Sequence, residues 1–226
     1  MKKLLSLFIA CLMIFALVGC SAEESDHSSS SLNKNSSSET VSDNIASDED
    51  NGGYKRGVST AGGWSSEWIG VKFTPDSSYI MATEEELEKL MEQAGESLKD
   101  AGMGSDKIDY AKVTSVYEFM AVGSSGSNII GMAEKLTLSN ITEKQFVEAL
   151  KTNFESMQYQ VTFTDLVEYK IGNTTFYKTE SVLTMGTASV KQMYLLKKMD
   201  DRMFSFILTE TQDGDFEKML GMLSGI

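Results

Sequence analysis

The chain has 226 residues, with 33 Asp and Glu against 20 Lys and Arg, one His, two Cys and one Pro. A formal net charge of −13 leaves no basic face for general binding to DNA or RNA. One His and two Cys cannot build a zinc site or a disulfide scaffold, and the length fits one sizeable domain plus appendages.

Met1-Lys2-Lys3 is a short positive stretch, and the apolar run from Leu4 to Val18 is broken only by Ser6. The run is too short for a membrane-spanning helix, which needs about 20 residues, and it suits the core of an export signal. It ends in Leu17-Val18-Gly19-Cys20, which resembles the lipobox of bacterial lipoproteins. The resemblance implies a signal peptide over 1–19, cleavage before Cys20 and a diacylglyceryl group on its thiol. It also implies an extracytoplasmic protein held by lipid on the outer face of a bacterial cell membrane, where two acyl chains give stable anchoring. Cys11 would leave with the signal and Cys20 would be blocked, so thiol chemistry is not expected of the mature chain.

Residues 21–53 contain eleven Ser, eight acids, one Lys and no aromatic residue. With the lipidated Cys20 they form an expected disordered tether over 20–53, too poor in apolar surface to offset ordering entropy. A coil of this length averages roughly 30 Å end to end. The lone His27 lies here among serines. Removing Lys2, Lys3 and the tether's seven net negative charges leaves −8 for residues 54–226.

Residues 54–226 read as a single domain. Trp68 to Thr74, closed by Pro75, predicts a strand. Thr83 and Glu86 form a capping box, and Leu87, Leu90, Met91, Ala94 and Leu98 then share one helical face, with Gly102 and Gly104 as the stop. Lys112–Val122 and Asn128–Leu138 flank Gly123-Ser124-Ser125-Gly126 as a hairpin. Thr142 and Gln145 make a second capping box, Ile141 and Phe146 a hydrophobic staple, and Phe146, Ala149, Leu150 and Phe154 a buried stripe. Tyr159–Thr164 alternates as a strand, Gly172-Asn173 turns into Thr174–Leu183, and Ser189–Lys197 and Met203–Thr209 are two further strands. Phe216, Met219, Leu220 and Leu223 mark a last helix after Asp213-Gly214-Asp215. Short turns between successive strands imply a mainly antiparallel sheet, covered by helices in an α+β layered domain.

Glu67-Trp68-Ile69-Gly70-Val71-Lys72-Phe73-Thr74-Pro75, Tyr117-Glu118-Phe119-Met120, Glu134-Lys135-Leu136, Ile171 to Tyr177 and Gln192-Met193-Tyr194 resemble bacterial lipoproteins with the PsbP-like, or Mog-type, α/β/α sandwich. The resemblance spans nearly all of 54–226. It implies a scaffold for docking onto other proteins and supplies no catalytic residues to carry over.

Residues 54–226 contain neither His nor Cys, which excludes Ser-His-Asp triads, Cys-His dyads and the usual zinc and copper sites within one chain. The Gly-rich stretch 123–131 lacks the Gly-Lys-Ser/Thr ending of a phosphate loop. No cofactor and no metal site is expected: Asp200-Asp201 reads as a hairpin turn and Asp213-Gly214-Asp215 as a helix N-cap, not as calcium ligands. Two enzymatic options are left, a carboxylate pair and a Ser-Lys dyad, and only the first offers named candidates. Glu118 shares strand parity with Val116, Met120 and Val122, and Glu180 is its candidate partner. The bland alternative pairs such acids with a cross-strand Lys135 or Lys178. Trp64 and Trp68, near Tyr54, are candidate stacking surfaces for a sugar or peptide, or simply core.

Two functions follow. The leading one is a non-enzymatic, lipid-anchored binding or scaffold domain. Its partner would be an envelope protein or wall-associated ligand, with a basic or mixed surface to suit an acidic domain. The alternative is a small-molecule or carbohydrate-binding lipoprotein, or a carboxylate-based hydrolase, and it requires a pocket lined by Trp64 or Trp68 and Glu118.

Overall fold

A computed structural model describes residues 53–100, 104, 105, 108 and 113–226. The export signal, Cys20, the tether as far as residue 52 and the glycine at 102 lie outside these residues. Among the described residues no helix is long and apolar enough to cross a membrane.

Among the described residues, twelve strands form two antiparallel sheets. The small sheet has the order β1 (Val58–Thr60), β2 (Gly63–Ser66), β3 (Val71–Phe73) and β12 (Leu223–Gly225). The large sheet runs β4 (Tyr79–Met81), β5 (Ser115–Gly123), β6 (Asn128–Lys135), β11 (Arg202–Glu210), β10 (Ala188–Met199), β9 (Thr174–Met185) and β7 (Gln160–Phe163). Strand β8 (Val167–Ile171) pairs with the first half of β9, on the edge that β7 occupies further along.

Helices α1 (Glu84–Asp100) and α2 (Glu143–Ser156) cover one face of the large sheet. Both capping boxes form. The Glu86 amide donates to Thr83 Oγ1 at 3.2 Å while Glu86 Oε2 accepts from the Thr83 amide at 2.9 Å. Thr142 and Gln145 repeat the arrangement. Leu87 and Ala94 of α1 and Phe146, Leu150 and Phe154 of α2 bury against Met132, Tyr194 and Leu196. The opposite face is covered by the small sheet and α3 (Asp215–Gly221) around Trp64, Phe73, Phe119, Phe204, Phe206, Phe216 and Met219. Strands β10 and β11 therefore have layers on both faces, which is why β11 reads as a near-continuous apolar run and β10 has one over Met193–Leu196. The α+β sandwich with a helix-covered antiparallel sheet is the observed architecture, and the second outer layer combines α3 with the small sheet.

Several boundaries move. The expected strand from Trp68 breaks at a turn, and Gly70, at φ 72°, delivers the chain into β3. Residues 113 and 114 are helical, so β5 starts at Ser115 and not at 112. Leu223 belongs to β12, because α3 stops at Gly221 and the chain re-enters the small sheet beside β3. The N-cap of α3 is Gly214, at φ 94°, and it makes no side-chain capping bond. Asp215, expected in an N-capping turn, instead reaches back to the amides of Thr211 and Gln212 at 3.1 and 2.9 Å.

A one-residue bulge in β5 positions the candidate site. Tyr117 pairs with Met132 and Phe119 with Gly131, which leaves Glu118 as the extra residue. Tyr117 faces the helices and Phe119 the small sheet. Glu118 turns to the same side as Phe119, so beyond the bulge its parity with Met120 and Val122 is lost.

Candidate functional site

Glu118 is 2 % exposed. Its Oε2 accepts from the Gly57 amide at 2.7 Å and from Trp64 Nε1 at 3.1 Å, and its Oε1 accepts from the Tyr54 hydroxyl at 2.7 Å. Three donors, two of them from the segment preceding β1, converge on one buried carboxylate. Arg56, on the same segment, donates to the Tyr117 carbonyl at 3.2 Å and to Glu84 Oε1 at 3.4 Å. The Arg202 guanidinium lies 4.3 Å from the centroid of the Tyr54 ring. Burial, and after it the adjacent Glu118 charge and hydrogen bond, push the Tyr54 hydroxyl well above its ordinary range. Glu118 therefore clasps residues 54–57 onto the bulge.

The proposed acid pair does not converge. Glu180 lies on β9, four strand spacings from β5, or about 19 Å, whereas paired glycosidase carboxylates stand about 5–9.5 Å apart. Glu180 is bound to Lys178 at 3.3 Å, and Lys135 faces Asp201 at 4.0 Å. The alternative expectation, a cross-strand Lys on Glu118, is also replaced: its partners are an indole, a phenol and an amide.

Trp64 is 2 % exposed and stacks on Phe119 at 4.9 Å and Phe204 at 5.8 Å. Its rings are committed to the core, so it is no platform for a sugar. Trp68 is half-buried on the turn before β3, with its edge contacts to Tyr54 at 5.0 Å and Phe204 at 6.2 Å. Trp64 thus lies in the core, and Trp68 packs against its rim.

Two clefts flank β4, each of about 360 Å³. The first lies on the small-sheet side, lined by Arg56, Ser59, Thr60, Glu84 and Glu118 together with Met81 and Ala82. It reaches Glu118 but neither Trp64 nor Trp68. The second lies on the helix side, between β4–β5 and α1. It is lined by Ile80, Val122, Leu90, Glu86 and Lys89, again with Met81 and Ala82. Ile80 is 76 % exposed, and Val122, its register partner, is 37 % exposed. Sequence reasoning missed this groove because a three-residue strand has no periodicity to detect. The available signal was Tyr79-Ile80-Met81, a β-prone triplet between the Pro75-Asp76 turn and the capping box.

Glu134 and Ser127 are among the other buried polar residues. Glu134, on the helix-facing side of β6, is 3 % exposed, and its Oε2 has no hydrogen-bond partner among the described residues. Burial raises its carboxyl well above the ordinary range, and its charge helps raise that of Tyr117 after burial itself. Ser127 meets the Tyr79 hydroxyl at 2.7 Å and Ser125 Oγ at 3.0 Å. Burial pushes the Asp215 carboxyl up, but hydrogen bonds from Thr211, Gln212 and Ser127 outweigh it and hold it low. Asp213 pairs with Lys191 at 3.3 Å, and Asp200 occupies the β10–β11 turn at φ 51°.

No protein-family model and no curated protein matches the chain. Among solved structures it is similar to the cyanobacterial PsbP (CyanoP) from Synechocystis sp. PCC 6803, determined in solution. The identity is 12 %, the TM-score is 0.45, and the match covers 77 % of this chain and 98 % of that one.

Proposed function

We propose that the protein is a non-enzymatic docking domain, carried on a tether from a diacylglyceryl group at Cys20 and displayed outside the cell membrane. The observation that carries the docking reading is the open apolar groove at Ile80 and Val122, where register-paired side chains of a sheet stay exposed beside α1. The buried acid that catalysis would need is instead occupied by three structural donors. The partner belongs to the envelope, as a protein or a wall-associated ligand. Photo-crosslinking on intact cells, with a reactive residue placed in turn at Ile80 and at Val182 and Leu138, exposed apolar residues elsewhere on the domain, tests this. Specific adducts from at least one position are expected; none from any position refutes docking.

A second reading, small-molecule binding, is favoured by the cleft that reaches Glu118 between Arg56 and Glu84. Its carbohydrate form has lost the expected indole platform. A ligand of this cleft would raise the melting temperature of the wild-type protein and not of an Arg56→Ala variant.

A further inference from the structure

The two clefts share Met81 and Ala82, the end of β4 and the residue after it; the first opens towards the small sheet and reaches Leu87 at the start of α1, and the second opens towards the body of α1. Strand β4 ends the sheet: among the described residues it pairs with β5 and with no strand on its other side. The Ala82 amide donates to the Met120 carbonyl, and the Ser78 carbonyl accepts from the Ser124 amide. Antiparallel alternation then directs the main-chain groups of Met81 away from β5, along the outer edge. The opposite edge carries exposed Glu168 and Lys170 on β8, charged side chains that discourage strand addition. Strand β4 carries no charge, and its outermost side chain is Ile80.

We infer that the free edge of β4 is a strand-addition site for an extended polypeptide segment with alternating apolar and basic residues. An added strand sends successive side chains to opposite faces, so one set enters the Ile80–Val122–Leu90 groove and the other the cleft at Glu84 and Glu118. The basic requirement comes from charge. Glu84 and Glu118 line the first cleft against one cation, Arg56, Glu86 lines the second beside Lys89, and the domain's net charge is −8. Met81 would contribute its main-chain groups, and Ile80 the apolar contact. This inference rests on the docking reading and specifies its mode.

The test uses the full chain and three fluorescein-labelled nonapeptides of alternating Lys and Val, read by anisotropy. One is unmodified, one is N-methylated on every lysine, and one on every valine. Whichever way a strand adds, one set of alternate amides faces β4. The expected result is binding by the unmodified peptide and by one methylated peptide, with the other abolished. Ile80→Ser should weaken binding about tenfold, the loss of part of one buried aliphatic contact. Equal binding by all three peptides would overturn the inference in favour of charge attraction alone, and no binding by any would overturn it too. A concentration-dependent dimer in sedimentation velocity, dispersed by Ile80→Ser, would give the edge to a second copy and also overturn it. Crosslinks from Val182 or Leu138 but not from Ile80 would refute this edge while the docking reading stands. Crosslinks from no position would refute the docking reading itself.

Discussion

Truncating Glu118 to Ala should cost the domain about 3–5 kcal/mol, because it strands donors and does not merely delete a contact. Trp64 Nε1 is buried and would lose its partner outright, a penalty of about 1–3 kcal/mol. The Gly57 amide and the Tyr54 hydroxyl are closer to the surface and recover water, so about 0.5 kcal/mol is assigned to each, with the cavity adding about 1 kcal/mol. Glu118→Gln is the informative control. Its amide oxygen can serve Gly57 and Trp64, and its NH₂ can donate to a reversed Tyr54 hydroxyl, so all three contacts survive without charge assistance. That variant should lose only about 1–2 kcal/mol. Urea denaturation followed by tryptophan fluorescence reads both, since Trp64 and Trp68 lie beside the clasp. Proteolysis between residues 54 and 57 should accelerate in the alanine variant well before global unfolding. A loss below about 0.5 kcal/mol for the alanine variant, or equal losses for the two, would refute the clasp.

Glu134 makes stability fall with alkalinity. Its folded pKa is raised, so its contribution is fully present below the ordinary carboxyl value of 4.5 and is lost as pH rises towards the folded value. Glu134→Gln should flatten that slope in urea midpoints measured from pH 5 to pH 8, and an unchanged slope would contradict the assignment. Gly172→Ala should cost about 2–4 kcal/mol, because an added Cβ would sit 2.6 Å from the Gly225 Cα at φ 58°. Gly186→Ala, at φ 63° but in open space, should cost only about 1 kcal/mol, and equal midpoints for the two would show that contact does not matter. Thr142→Ala should remove about 1 kcal/mol by opening the capping box of α2, read the same way. Intact-mass analysis of the membrane fraction should find a diacylglyceryl mass on Cys20, and a Cys20→Ala variant that stays equally membrane-bound would refute the anchor.

The helices were legible because their signals are local. Thr83 with Glu86, and Thr142 with Gln145, declare helix starts within four residues, and the stripes that follow have the right period. The long strands β9 to β11 were legible for the same reason. The small sheet was not. Its strands are three or four residues long, and β12 is contributed by the far end of the chain, more than 140 residues after β3. Pairing of that kind is decided by tertiary contact and leaves almost no trace in a short window. It also redirected Trp68, because the sequence from 67 to 74 reads as one strand until Gly70 is seen at positive φ.

The candidate site failed at one residue of register. Period-two reasoning places Glu118 with Met120 and Val122 on the face towards α1, where a buried acid would lack partners. The bulge at Tyr117/Phe119 turns that single side chain to the other face, where Tyr54, Gly57 and Trp64 hold it. What reads as a catalytic acid is thereby made a structural one. The same geometry bears on the edge. The clasp holds residues 54–57 beside the first cleft, whereas the second cleft takes its walls from β4, β5 and α1. Loosening the clasp by Glu118→Ala should therefore alter the polar side of the β4 edge before the apolar side. An added strand would keep its Ile80 contact and lose its polar pocket, so the alanine variant should bind the alternating peptide more weakly but with the same N-methylation pattern. A changed pattern would mean that residues 54–57, and not β4, present the edge.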